Sequence, residues 1–249
     1  MDSMEKILDI DSMKLVWEDS FNAPRLDSSK WKKCIWKPGF VNNEVQSYVD
    51  DEETCRTGDG LLIRAVRKGN EWKSARITTS TLHSWTYGYF EAEIKLPEGS
   101  GGIWPAFWLM SEKGFYGSWP RSGEIDILEY SPATFGTDVY GTIHYGTGKE
   151  DNVSHFWKNL IRTRLEDVDK RFHKYGVLWT EDKIEFFYDR KSLGTAWEKS
   201  GKSPVEWPYD KEFHIILNLA MGGNLGGEIP ETMTEAEMRV NYVRVFSLK

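Results

Sequence analysis

Short runs rich in branched and aromatic residues recur along the chain, with turn-forming residues between them. They are Lys14–Trp17, Lys32–Trp36, Leu61–Arg67, Tyr87–Leu96, Ile103–Met110, Gly123–Tyr130, Val139–Tyr145, His173–Trp179, Lys183–Asp189, Phe213–Ala220 and Met238–Ser247. Several alternate: Phe90, Ala92, Ile94 and Leu96 fall on one side of a strand, Glu91, Glu93 and Lys95 on the other. Strands spaced this closely, without regular intervening helices, restrict the chain to an all-β sandwich or barrel. No Pro/Gly/Ser linker, repeat or low-complexity tract divides it, so one domain is expected over residues 14–249, after an N-terminal extension over 1–13. The exception is Ser154–Asp169, where Phe156, Leu160, Ile161 and Leu165 recur at near-helical spacing. It is expected as a short surface helix or an ordered loop whose apolar stripe docks on the sandwich.

One of these runs carries charge on an apolar background. Ser122-Gly123-Glu124-Ile125-Asp126-Ile127-Leu128-Glu129-Tyr130 places three carboxylates in six positions. In a regular strand Glu124 and Asp126 share a face, while Glu129 falls on the opposite face and Leu128 joins the acids. One extra residue, a β-bulge between Asp126 and Glu129, puts all three acids on one face and returns Leu128 to the core. Residues four pleated positions apart have Cα atoms roughly 13 Å apart. Two glutamates leaning together across that span bring their carboxyls to about 5–6 Å, which meets the roughly 5–5.5 Å separation a retaining glycosidase uses. Asp126 between them perturbs both acids through like charge and hydrogen bonding. The plainer reading is a strand whose acids meet lysines or arginines elsewhere.

A net charge of −7 argues against nucleic acid, whose phosphates demand a basic footprint, and favours a neutral polymer over a sulfated one. The chain has 12 Trp, 11 Tyr and 12 Phe, which suits stacking on sugar rings as well as filling a β core. The two cysteines, Cys34 and Cys55, allow one disulfide or two free thiols. No segment is apolar enough to span a membrane, and Met1–Met13 lacks the plan of a signal peptide. The five histidines are dispersed, with no HExxH spacing, so no catalytic metal and no required cofactor is expected. Gly222–Gly227 is glycine-rich but lacks the Lys-Ser/Thr of a phosphate loop, and reads as a flexible loop at the cleft edge.

Around the acids, Trp119 precedes the strand at what would be the cleft mouth. Trp104 and Trp108 share one face of their strand, either both lining the cleft or both in the core, unless Pro105 bends them apart. His144 lies on the strand expected to neighbour the acids, placed to bond Asp126 or a sugar hydroxyl or to serve the structure alone.

These motifs resemble glycoside hydrolase family 16, in its laminarinase-like branch. Glu124, Asp126 and Glu129 match the bulged E-x-D-x-x-E pattern rather than the unbulged E-x-D-x-E of the lichenase type. Asn42-Asn43-Glu44-Val45-Gln46-Ser47-Tyr48, Ser74-Ala75-Arg76-Ile77, Trp104-Pro105-Ala106-Phe107-Trp108, Gly141-Thr142-Ile143-His144-Tyr145 and Leu217–Asn224 follow in the family's order, and the resemblance runs from Leu15 to Phe246. It implies a β-jelly-roll sandwich of two antiparallel sheets with a concave cleft. It also implies retaining endo-cleavage of β-1,3- or mixed β-1,3/1,4-glucan by a secreted or cell-surface enzyme acting as a monomer. By the same resemblance Glu124 is the nucleophile, Glu129 the general acid/base and Asp126 the assistant. Trp119, Trp104, Asn43, Arg76 and His144 line the nearest sugar subsites, with Glu44, Trp108 and Asn224 also substrate-binding. The alternatives are a hydrolase of another polysaccharide such as agarose and a non-catalytic glucan-binding module. Three departures carry expectations. Tyr89 replaces a usual arginine, which removes an ion pair. Leu225 follows Asn224 where many members have tryptophan, which leaves room for mixed-linkage glucan. Asn241 replaces an aspartate that holds a structural calcium, so calcium there is weak or absent.

Overall fold

The computed structural model describes residues 6–248, without the side chains of 152–154. In chain order the strands are β1 (Lys14–Asp19), β2 (Lys32–Lys33), β3 (Gln46–Tyr48), β4 (Cys55–Arg56), β5 (Leu61–Lys68), β6 (Glu71–Ser74), β7 (Arg76–Thr78), β8 (Gly88–Lys95), β9 (Ile103–Ser111) and β10 (Glu124–Tyr130). They continue with β11 (Asp138–His144), β12 (Ile161–Arg164), β13 (His173–Trp179), β14 (Lys183–Tyr188), β15 (Lys191–Glu198), β16 (Phe213–Met221) and β17 (Glu235–Ser247). Three short helices interrupt them: α1 (Pro132–Phe135), α2 (Lys149–Asn159) and α3 (Gly223–Gly226). No helix among the described residues is long and apolar enough to cross a membrane.

The strands form two sheets packed as a β-jelly-roll sandwich. One, of ten strands, follows the order β15-β14-β13-β8-β17-β5-β6-β3, with β1 on β17 and β4 on β5. The other, of seven strands, follows β12-β11-β10-β9-β16-β7-β2 and carries the acids. Alternation decides which side chains enter the core. Along β16, Phe213, Ile215, Leu217, Leu219 and Met221 join the inter-sheet core, while His214, Ile216, Asn218 and Ala220 take the other face. The pairing is antiparallel as expected, except for the short pair β3 and β6, which run parallel.

The helix-like segment divides. Helix α2 runs from Lys149 and stops at Asn159, and Ile161–Arg164 pairs with β11 as an edge strand. Leu165 and Ile161 reach the core as expected, from extended chain rather than from a helix face. Likewise Gly223–Gly226 forms a single helical turn where a flexible loop is expected. Cys34 and Cys55 are both free thiols.

The two substitutions on the ten-stranded sheet each have a local structural setting. Tyr89 keeps its neighbour Glu91 satisfied: its hydroxyl donates to Glu91 Oε2 at 2.9 Å, and Arg190 supplies the ion pair, with Nε and one terminal nitrogen at 2.9 and 3.0 Å. Burial pushes the Glu91 carboxyl up, but the Arg190 fork and the Tyr89 and Tyr242 hydroxyls hold it below the ordinary value. Gly176, on the paired strand, leaves room for the Tyr89 phenol, which a Cβ there would overlap. Asn241 is the extra residue where the β17–β8 register shifts between Val240 and Tyr242. Its amide nitrogen donates to Glu93 Oε2 at 2.7 Å, and no group of three His, Cys, Asp or Glu donors gathers there among the described residues.

From the expected extension, residues 6–13 lie on the ten-stranded sheet, and residues 1–5 fall outside the described residues. Leu8 packs with Tyr89, Phe187 and Phe246, and Lys6 bonds Glu185 at 2.7 Å. Burial raises the Glu185 carboxyl, but Lys183, Lys6 and Ser192 outweigh it and hold it at about 2. A depressed carboxyl stabilises the fold above its unfolded value and loses that contribution as pH falls toward 2. Glu185→Gln is therefore expected to flatten the acid side of the plot of Tm against pH; an unchanged acid slope would show that the pair contributes nothing.

Candidate active site

Strand β10 sits inside its sheet between β9 and β11, and both neighbours record the same irregularity. Against β11, Asp126 pairs with Thr142 and Glu129 with Tyr140, so three steps on β10 match two on β11. Against β9 the shift falls between Asp126 and Leu128. This is the bulge that the alternation requires. Ile125, Ile127, Leu128 and Tyr130 enter the core, and Glu124, Asp126 and Glu129 face outward together.

A bulge leaves backbone groups without a ladder partner. Here the Tyr188 hydroxyl, reaching across from the other sheet, donates to the Ile127 carbonyl at 2.8 Å in a fully buried setting. Opposite the extra residue stands Gly141, where a Cβ would lie 3.1 Å from the Asp126 carbonyl and 3.0 Å from Phe186. Tyr188→Phe strips a buried acceptor of its partner and is expected to cost about 1–3 kcal/mol. Denaturant unfolding measures it, and a loss below about 0.5 kcal/mol would show that the bulge needs no support from β14.

The outward acids are bonded into a short chain. Glu124 accepts from the Trp119 indole N–H at 2.7 Å and is half-buried. Asp126 Oδ2 lies 2.8 Å from His144 Nε2, which is 3.9 Å from Glu124. Glu129 accepts from the Trp104 indole N–H at 2.7 Å. Burial raises Asp126 well above the ordinary aspartate value, reinforced by the charge of Glu124 and a hydrogen bond to it. Burial, then the charge of Asp126, raises Glu129 well above the ordinary glutamate value, against the opposing Trp104 bond and His144. Asp126 and Glu129 thus hold protons at a pH where ordinary carboxyls are ionised. The arrangement pairs an accessible carboxylate, Glu124, with a proton donor, Glu129, and a buried acid that hydrogen-bonds the first.

The expected sugar-binding residues differ in exposure, with Arg76 and Glu44 buried. Trp104 and Trp108 share the outer face, so the reading that puts both in the cleft holds and Pro105 does not separate them. Arg76 lies between the rings of Trp36 and Trp108, with its guanidinium carbon 4.1 and 4.8 Å from their centroids. Asn43 donates to Asn224 at 2.8 Å, tying two loops together at the rim. Glu44 is the correction. It is buried, and its carboxylate is occupied by Asn42 at 3.2 Å, Gln46 at 2.8 Å and Tyr48 at 3.3 Å. From there Tyr48 accepts from Asn218 at 3.0 Å, and Asn218 accepts from the Trp108 indole at 2.7 Å. Glu44 therefore orients the surface through Tyr48, Asn218 and Trp108 instead of meeting a ligand.

Trp36, Tyr48 and Asn218 have no assigned role in the sequence reading, because they come from segments far from β10. Asn218 alone offers a signal, as a lone amide in the apolar run Ile215–Ala220. Glu124, Asp126 and His144 also bring three donor atoms within 4.8 Å of one another, the one such group among the described residues. Their mutual bonds and that to Trp119 account for the grouping as a proton-sharing cluster.

Comparison with known proteins agrees with this geometry. Residues 33–244 match the sequence profile of glycosyl hydrolases family 16. The beta-glucanase of Rhodothermus marinus is 36% identical, with 94% of this chain and 85% of that protein covered. The glucan endo-1,3-beta-glucosidase of Cryptopygus antarcticus is 35% identical, with 92% of this chain and 90% of that protein covered. The crystal structure of laminarinase from Flavobacterium sp. UMI-01 superposes with a TM-score of 0.84 at 35% identity, covering 94% of this chain and all of that one. The bulged strand, its three acids and every residue of the outer face described above fall within the matched span, and the chain belongs to glycosyl hydrolases family 16.

Proposed function

We propose that the protein is a retaining endo-β-glucanase that cuts β-1,3-linked and mixed β-1,3/1,4-linked glucan. The observation that carries this reading is the bulge that sets Glu124, Asp126 and Glu129 on one face of a strand, with Glu129 buried and Glu124 facing the cleft. Burial and the neighbouring Asp126 raise the Glu129 carboxyl well above the ordinary glutamate value. In the first step the Glu124 carboxylate attacks the anomeric carbon. The glycosidic C–O bond breaks, and the Glu129 proton passes to the departing oxygen. Water then gives a proton to Glu129 and attacks the same carbon, and Glu124 leaves with its electron pair restored. Asp126 supports the first step by hydrogen-bonding Glu124 while the charge on that carboxylate is spent. Arg76, Asn43, Trp104, Trp108, Trp119 and His144 hold the sugars on either side of the reacting carbon.

Leu225 in place of an aromatic platform supports tolerance of straighter β-1,4 segments beside the β-1,3 bond. Because polymeric glucan does not cross a membrane, the enzyme works outside the cell. Incubation with laminarin, lichenan, barley β-glucan and agarose, followed by identification of the oligosaccharides, tests the reading. Oligomers from the first three and none from agarose are expected. Release from agarose alone, or from no β-glucan, would refute it.

Activity is expected to fall at high pH as Glu129 loses its proton, on a limb displaced above that of an ordinary glutamate. The pH profile of kcat/KM measures this, and a basic limb at the ordinary glutamate value would contradict the buried-acid role.

A further inference from the structure

We infer that Trp157, seated on Phe135 and Phe156, is a sugar-stacking platform for the part of the glucan that lies over β11 and β12. The inference rests on the β-glucanase reading and deepens it by naming a binding site on the far side of the acids. An endo-acting enzyme grips its polymer on both sides of the bond it cuts. In the strand order β12-β11-β10-β9-β16-β7, Trp108, Asn218 and Arg76 all stand on the β9 side of β10. A chain crossing the acids continues over β11 and β12, where none of those residues reaches.

On that side the outer face is roofed by α1 and α2. Phe135 packs on Tyr140 at 4.6 Å, and Tyr140 stands opposite Glu129 in the β10–β11 register. Phe156 lies nearly parallel to the His144 ring at 5.8 Å, and His144 stands opposite Glu124. The Trp157 indole then meets Phe135 edge-on at 6.1 Å and Phe156 edge-on at 5.1 Å. Two rings fix its orientation from below, yet Trp157 remains 61% exposed. Trp119, at the cleft mouth, is 43% exposed, and the other ten tryptophans are buried or half-buried. A helix serving only to cover β11 needs Phe156 and the buried Asn159, not an indole turned to water. A rigid, open indole continuous with the catalytic residues matches the C–H face of a pyranose. Arg162 is paired opposite Tyr140 and so shares its face; it is exposed and adds a planar fork for sugar hydroxyls, beside Asp138 at 3.8 Å.

Trp157→Ala and Trp157→Phe test this on laminari-oligosaccharides of increasing length. For Trp157→Ala, kcat/KM should fall about tenfold on substrates long enough to bridge the acids and α2, mainly through KM. The shortest cleaved oligomer should be unaffected, Tm should be unchanged, and Trp157→Phe should recover most of the loss. Equal activity at every length, or an equal loss at every length with a lowered Tm, would overturn the inference. Titration of the inactive Glu124→Gln protein with laminarihexaose, with and without Trp157→Ala, separates the two readings. Weakened binding without hydrolysis by the native protein would sink the glucanase reading and keep the platform. Hydrolysis with unchanged binding and unchanged length dependence would do the reverse.

Discussion

Glu124→Gln is expected to lower kcat on every β-glucan by roughly 10⁴-fold or more, the scale seen when one member of a catalytic unit is removed. The amide keeps the size of the carboxyl and retains an oxygen for the Trp119 indole, now at 2.7 Å. It cannot attack an anomeric carbon, because it has neither the charge nor a leaving ability for the second step. The fold should be untouched, since Glu124 stands on the open face and no core residue leans on it. A stricter form uses Glu124→Ala with added azide. The small anion enters the space left by the carboxylate and attacks from the face opposite the leaving sugar, so an α-glycosyl azide should form. Kinetics on laminarin together with a thermal melt checks both parts. Activity within about tenfold of the native protein would be incompatible with a nucleophile at this position.

Glu129→Gln should cost about 10²–10⁴-fold on natural glucans, where the departing oxygen needs a proton. Its signature is dependence on the leaving group. A substrate with a dinitrophenyl leaving group departs without a proton, so the first step should survive. The second step still lacks its base, so the covalent intermediate should accumulate after a burst. Stability should move the other way. Glu129 and Asp126 have carboxyls raised in the folded state, so their contribution is full below the unfolded carboxyl values and is lost as pH rises through the folded ones. Removing the ionisable group at 129 should therefore reduce the decline of Tm toward alkaline pH. A native-like rate on laminarin would refute the acid role, and a steeper alkaline loss of Tm would refute the burial argument.

The mechanism was largely legible in nine residues, for a physical reason. A strand alternates its side chains without exception unless it gains a residue, so Leu128 beside two acids and Glu129 out of phase could be reconciled only by a bulge. What β10 needs from elsewhere was not legible. The Tyr188 hydroxyl that satisfies the Ile127 carbonyl and the Gly141 that makes room for the extra residue come from β14 and β11, and neither carries a local signal. The same holds for Arg76, whose residue type points to sugar hydroxyls but whose stacking between Trp36 and Trp108 depends on three separate segments. Glu44 lies in a polar loop motif that reads as surface; its burial follows from Gln46 and Tyr48 folding back on it two and four residues later. Strands of two to four residues, such as β2, β4 and β7, are too short to display a period. In Ser154–Asp169 an apolar spacing close to helical was shared between the end of α2 and the edge strand β12, because over so few residues the two periods overlap.

The central claim is that Glu124 attacks the sugar from one face and is later displaced by water from the opposite face, the one the leaving sugar vacated, so that two inversions restore the starting configuration. Proton NMR of laminari-oligosaccharide hydrolysis, followed from the first minutes before the reducing ends equilibrate, tests it most directly. The β-anomer should appear first, with the α-anomer growing in only by mutarotation. An α-anomer present from the start would mean that water attacks directly, and would contradict the assignment of Glu124 as nucleophile.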